Sequence, residues 1–454
     1  IIKPGGKLVV DGGTLTSACE DGMWQGIYVE GHTDLPQTAA NQGTVQLING
    51  AVIENAHCAI TTAVPPQSGG TPNVNQSLST GGIITADGAT FRNCTRAVYY
   101  LPYASVAGSG NVADNKGSFH NCTFTIDDNN LYASNGTDFI EHVRLWDVKG
   151  VTFSRCRFED VRTGVHSRGI AVNAMSAGFT VRTECQGTAG HPYDCACPTT
   201  TNSYCSFAGF GTAVSASTSG SPYPVAIDGA RFAGNLTGVS ISGSSHASVT
   251  HCQFDLGETQ VRAVIGLSLN GCTGYLVEEN TFTRDASAPS GIRYGIRVNN
   301  SGTDANGLYR NTFERLSHGM YVTGTNGDGN SNTGLQMTCN EFTDNTYDMY
   351  LYSTAIVSSW QGDNSKGADN TFSGTQTSSL HNAGSQPLTY LYSAGTSHVP
   401  YNPTTGNVTL NGTVPSNNCA STLCVLDPFN PGPGPKSPTP SFLALKQQYE
   451  NLMA

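Results

Sequence analysis

The chain has 454 residues, with 53 glycines, 12% charged residues and a formal net charge of −11. A negative chain with 22 Lys and Arg is unsuited to nucleic acid, where binding is driven by neutralising phosphates. No stretch reaches the roughly 18 apolar residues of a membrane span, and the length alone would suggest two or three ordinary domains.

The apolar residues are not dispersed. Lys7-Leu8-Val9-Val10 is a short run bounded by glycine and aspartate, and such runs recur along the chain as brief strands. The first residues, Ile1-Ile2-Lys3-Pro4-Gly5-Gly6, carry no signal peptide and start mid-pattern, which reads as a processed or trimmed piece of a longer precursor.

From residue 53 one motif returns. Ile53, Phe91 and Phe232 hold the place that is marked elsewhere by Cys122-Thr123-Phe124, Cys156-Arg157-Phe158, Cys252-Gln253-Phe254, Asn280-Thr281-Phe282, Asn311-Thr312-Phe313, Asn340-Glu341-Phe342 and Asn370-Thr371-Phe372. From Phe254 onward the spacings are 28, 31, 29 and 30 residues. A small residue, then apolar, any, apolar, follows each Phe, as in Gly266-Leu267-Ser268-Leu269, Gly295-Ile296-Arg297-Val298 and Asp348-Met349-Tyr350-Leu351. Seven residues separate Phe91 from Val98, Phe313 from Met320 and Phe342 from Met349.

Two short strands in a unit of about 29 residues keep this register if the chain is a coil that returns to the same angular place on every turn. Each strand then pairs with its equivalent one turn later, about 4.8 Å away. Apolar residues pile into interior columns, and the Asn two places before each Phe becomes a ladder at a turn. Leucine-rich repeats need shorter, Leu-dominated units, and propeller blades need four strands.

Residues 105–118 and 183–224 interrupt the repeat and read as insertions. The second holds Cys185, Cys195, Cys197 and Cys205. With Cys419 and Cys424 these are the disulfide candidates, and they imply an oxidising space outside the cell or on its surface. Zinc is the rival, with His191 nearby, but Cys195-Ala196-Cys197 lacks the spacing of common zinc knuckles. Cys122, Cys156 and Cys252 sit at one repeat position and read as small core residues. The solenoid is expected over 1–427. A Pro-rich linker covers 428–441 and should be extended. Phe442, Leu445, Tyr449 and Leu452 fall at helical spacing, a cap or the start of a further domain at 442–454.

The opening Pro4-Gly5-Gly6-Lys7-Leu8-Val9-Val10-Asp11-Gly12-Gly13-Thr14-Leu15-Thr16-Ser17-Ala18-Cys19, followed by Met23-Trp24-Gln25-Gly26-Ile27-Tyr28-Val29-Glu30-Gly31, resembles the first coils of secreted proteins from Bacteroidetes-type bacteria. The resemblance covers roughly residues 1 to 380. It implies an all-β, right-handed, pectate-lyase-like parallel β-helix, and export that is often by type IX secretion. It does not imply one activity, since such folds host lyases, glycoside hydrolases, tailspikes and adhesins.

Function must therefore come from outward residues. The residue between the two apolar ones points outward, giving a column Thr61, Tyr99, Ser240, Ser268, Arg297, Tyr321 and Tyr350. The next column is Ser242, Asn270, Asn299, Thr323 and Tyr352. Arg297, Asn299, Tyr321, Tyr350 and Tyr352 form a candidate glycan-binding strip; the same residues also suit plain strand surface. A hydrolase needs two cooperating acids, and Asp127-Asp128, Glu278-Glu279 and Glu141 with Asp138 and Arg144 are the candidates. Arg293 and Arg297 are the close basic pair a lyase would need. Asn326-Gly327-Asp328-Gly329-Asn330-Ser331-Asn332 resembles a calcium loop with one carboxylate, which implies at best weak binding of structural Ca²⁺. No cofactor and no other metal is expected. The reading favours a non-catalytic adhesin, glycan-binding or structural protein, with a polysaccharide lyase or hydrolase as one alternative. A subunit of an extracellular assembly, joined to other proteins through the C-terminal tail, is the other.

Overall fold

The computed structural model describes residues 1–63, 79–106, 111–164, 166–183, 204–218, 223–257, 263–285, 291–329, 332–394, 396–400 and 407–423. Cys185, Cys195, Cys197, Cys424, Asn330, Ser331, the Pro-rich stretch 428–441 and the helix expected at 442–454 lie outside the described residues. The chain divides into two compact units. One is Ile1–Glu184 with Thr199–Asn417; the other is Cys185–Pro198 with Asn418–Ala454.

The larger unit is a right-handed parallel β-helix built on three sheets. Sheet 1 has eleven strands, from Lys7–Asp11 to Gln336–Thr338. Sheet 2 has twelve, from Thr14–Leu15 to Thr371–Ser373, and sheet 3 has twelve, from Ile27–Tyr28 to Ser378–Asn382. Each strand pairs with the equivalent strand of the next circuit, so that Phe254, Phe282, Phe313, Phe342 and Phe372 stand in register. Three strands per circuit replace the two expected. The sheet 1 strand is the one the repeat conceals, because its inward residue changes along the axis, from Val249 and Val277 to Leu308 and Met337.

The corner between sheets 1 and 2 turns on one left-handed residue, with φ of 51° at Asn121 and His251, 54° at Arg155 and Arg310, and 58° at Glu279. Such a conformation crowds Cβ against the carbonyl and is uncommon for non-glycine residues. The neighbouring circuits hold each of these bends in place through the ladder.

Ten phenylalanines from Phe91 to Phe372 stack within the coil, with ring centroids 4.5 to 5.7 Å apart. The ladder explains the small residue of the second motif. A Cβ on Gly295 would lie 2.6 Å from the Gly319 carbonyl oxygen and from the edge of Phe313. Glycine is what lets the ring of the next circuit lie flat.

Two residues before each Phe, the interior column changes chemistry along the axis. Ala51 and Ala89 open it, and Cys122, Cys156, Cys205 and Cys252 follow as buried free thiols, with Ala230 between the last two. Cys205 is thus no bridge partner. It donates to the Phe153 carbonyl oxygen at 3.6 Å, and its neighbour Phe207 stacks between Phe158 and Phe232. The insertion expected at 183–224 is correspondingly shorter, because Ser206–Ala208 and Thr212–Ser217 are ordinary coil strands. Cys339, which spacing did not single out, is disulfide-bonded; so is Cys419.

From residue 280 the column is asparagine. The Asn280 amide donates to Asn311 Oδ1 at 2.9 Å, Asn311 to Asn340 at 3.1 Å, and Asn340 to Asn370 at 2.9 Å. Each amide also donates to a backbone carbonyl of the preceding circuit, for Asn311 that of Val277. All four are buried. Beyond them the interior ends against a small sheet containing Trp360–Asp363, Leu388–Leu391 and Val408–Asn411, where Tyr390 Oη meets the Asn370 amide at 3.1 Å.

Asp348 occupies the glycine position of its circuit, fully buried. Burial pushes its carboxyl up to about 7, against donation from Asn345, Gln376 and Ser379, which lowers it.

Two expectations follow. Asn311→Ala removes the acceptor of both the Asn280 amide and the Asn280 backbone N–H. It should lower unfolding stability by about 2–4 kcal/mol, read as a shift in the urea midpoint. Asp348 has a folded pKa above the value of about 3.9 in an unfolded chain. Its contribution is therefore nearly complete at pH 4 and is lost progressively as pH rises from there through about 7. Asp348→Asn should leave stability at pH 4 unchanged and raise it by about 2–4 kcal/mol at pH 8, in parallel thermal melts.

Candidate functional site

The outer face of sheet 3 is free of the packing rules that fix the interior, so its residues can change from one circuit to the next. The register of its strands places Ser240, Ser268, Arg297, Tyr321, Tyr350 and His381 in one column. Beside it run Ser242, Asn270, Asn299 and Thr323. The structure therefore brings together all five residues of the expected strip, with Tyr352 the most exposed at 43%.

A third column was not legible in the sequence. Tyr294, His318 and Tyr347 are paired in register and also face outward. Strict alternation from Arg297 would turn Tyr294 inward. Gly295 and Ile296 are both buried, however, because the chain bends at the glycine, and the phase of the strand slips by one residue there. The repeated aromatic one place before the small residue is the signal that could have revealed the column.

The rings form two adjoining ladders. Tyr294, His318 and Tyr347 stack at 4.9 and 5.2 Å, and Tyr321, Tyr350 and His381 at 5.4 and 4.6 Å. Between the ladders the contacts are edge to face, such as His318 to Tyr350 at 5.2 Å. Burial among them pushes the His318 imidazole down to about 4, so it is neutral at neutral pH. Because both faces of Tyr350 and one face of Tyr321 are taken up by stacked rings, and the Arg297 guanidinium lies over the Tyr321 ring, this patch is a stiff wall of phenol edges and hydroxyls rather than an open platform for a sugar ring.

The N-terminal side of the wall drops to small residues, and there a groove of about 400 Å³ opens. It is lined by Ser240, Ser242, Ser268, Leu269, Asn270, Arg297, Val298, Asn299 and Thr323. The Arg297 guanidinium lies 5.3 Å from the Tyr294 ring centroid and 5.9 Å from that of Tyr321. The Thr323 hydroxyl donates to Asn299 Oδ1 at 3.0 Å, and the Asn299 amide to Asn270 Oδ1 at 2.7 Å.

The acidic candidates serve the fold. Glu141 is buried between Arg96 and Arg144, each 2.6 Å from its carboxylate, and accepts from Asn173 at 2.8 Å. Asp138 pairs with Arg162. Asp127 accepts from the Asn93 amide, and Asp128 from the backbone and hydroxyl of Thr163. Glu278 is buried, while its neighbour Glu279 meets His251 and Arg310. Arg293 and Arg297 do not act as a basic pair, since Arg293 is buried with its Nε on the Leu256 carbonyl. His142, His166 and His251 sit in separate settings; His142 lies among core rings, where burial pushes it down to about 3. In the calcium-like loop the Asn326 amide donates to the Thr323 and Gly324 carbonyls, as a turn residue does. Among the described residues, no group of three or more His, Cys, Asp and Glu side chains is placed to hold a metal ion.

No known protein-family model matches the chain, and no curated protein sequence does. Among solved structures the chain is similar to PfbA, a surface adhesin of Streptococcus pneumoniae. The identity is 10% and the TM-score 0.28, over 78% of this chain and 86% of that one. A likeness at that level carries no argument about ligand or activity, and the fold rests on the register of the sheets.

Proposed function

We propose that this chain is a secreted or cell-surface β-helix protein that holds a glycan on the outer face of sheet 3 without cleaving it. One observation carries the reading. The groove beside the tyrosine wall is lined by hydroxyl, amide and guanidinium groups, and no carboxylate stands among its lining residues. Glycan recognition needs fixed donors and acceptors set on a rigid surface. Hydrolysis needs a cooperating pair of acids at the same place.

The disulfide-bonded Cys339 and Cys419 support an oxidising compartment. Export by a type IX route, which the N-terminal resemblance implies, belongs to the same proposal, as does a role for the C-terminal tail in joining other extracellular proteins.

The test is a polysaccharide array read twice, for retention and for new reducing or unsaturated ends. Retention without new ends is the expected result. Ser268→Trp, which fills the groove from the middle of its column, should cut retention at least about tenfold while leaving the melting temperature unchanged. New chain ends produced by the wild type would replace this reading with an enzymatic one.

A further inference from the structure

The groove is unbalanced in its hydrogen-bonding chemistry. Several arginines on this coil face a carboxylate. Arg96 and Arg144 meet Glu141, Arg162 meets Asp160, Arg310 meets Glu279 and Arg92 meets Glu54. Arg297 has neither an ion pair nor a hydrogen bond among the described residues; its contacts are the rings of Tyr294 and Tyr321. Its register neighbours are Ser268 and Tyr321, neither of which carries charge. Rings beside the guanidinium attract its charge without taking up its N–H donors, which remain to suit a planar or tetrahedral oxyanion.

The amide chain beside it points the same way. Donation runs from Thr323 to Asn299 to Asn270, so the last free group is the Asn270 NH₂, on an exposed residue at the groove. Arginine N–H groups, this amide and the Ser268 hydroxyl give a site with more donors than acceptors. A neutral sugar, whose hydroxyls donate as readily as they accept, would leave part of that capacity unmatched.

We infer that the groove selects a glycan bearing an oxyanion, a carboxylate or a sulfate, with the anion on Arg297 and the adjoining sugar hydroxyls on Asn270 and Ser268. This rests on the glycan-binding reading above and narrows its ligand class. A charged ligand would be held by the guanidinium edge in a bidentate pair, which a lysine could not reproduce.

The experiment uses cello- and galacto-hexaoses, each in neutral, sulfated and uronate form, titrated by calorimetry against the full chain, Arg297→Gln and Arg297→Lys. One or both anionic forms should bind at least about tenfold more tightly than the neutral form of the same backbone, and the preferred anion identifies the ligand source. Arg297→Gln should erase that preference, and Arg297→Lys should restore only part of it, with melting temperatures unchanged. Equal affinity for neutral and anionic forms, or an anion preference that survives Arg297→Gln, overturns the inference and leaves the glycan-binding reading standing. Retention of none of the six by the wild type overturns both.

Discussion

The structure depends on one constraint: every circuit must return its residues to the angular positions of the circuit before. Parallel pairing then puts like residues on top of one another, and each interior column has to be self-compatible. Aromatic rings satisfy this by stacking face to face, as from Phe91 to Phe372. Asparagine satisfies it because an amide both donates and accepts along the axis, as from Asn280 to Asn370. The glycines at 238, 266, 295 and 319 are a consequence, since the ring of the next circuit occupies the space a side chain would need. The Phe column and the column two residues before it hold apolar, thiol and amide side chains and no charged residue.

The outer face of sheet 3 is under no such demand, and the site arises there from a change in side-chain size. The column Ser240, Ser268, Arg297, Tyr321 runs from small to large over four circuits without disturbing the strands beneath. The groove is the step between those sizes. Its floor is the rigid sheet, and its wall is stiffened by ring stacking across two columns. A binding surface can thus be written onto a solenoid one circuit at a time, with little effect on stability.

The sequence made the architecture legible because a ring, and later an asparagine two places before it, returns in circuit after circuit, so the spacing can be followed even where Ile53 replaces the ring. The seven-residue offset to the second apolar motif fixed which residues face outward, and Arg297, Asn299, Tyr321, Tyr350 and Tyr352 do share one surface. Three features were hidden for physical reasons. The strands of sheet 1 carry no recurring residue to mark them, since the paired place passes from Val249 and Val277 to Leu308 and Met337. Tyr294, His318 and Tyr347 lie across the glycine bend, where period-two reading fails. Cys205 and Phe207 belong to the columns, but the long excursion before them breaks their spacing from Phe158, so the thiol read as part of a disulfide cluster.

The chain carries a net charge of −11, yet its groove presents a cation. The contrast has a structural origin. Elsewhere the register that aligns equivalent residues also brings opposite charges together on neighbouring circuits, as with Arg96 above Glu141 or Glu54 above Arg92, and such pairs neutralise each other in place. At Arg297 the circuits on either side contribute a serine and a tyrosine, so the same register isolates the guanidinium. Flanking rings lower its contact with water without neutralising it, which leaves the charge to be balanced from outside the fold. Isolation of this kind costs the folded state little at the surface, where solvent screens a single charge. It is therefore a feature the coil can keep for a ligand without weakening the stack that supports it.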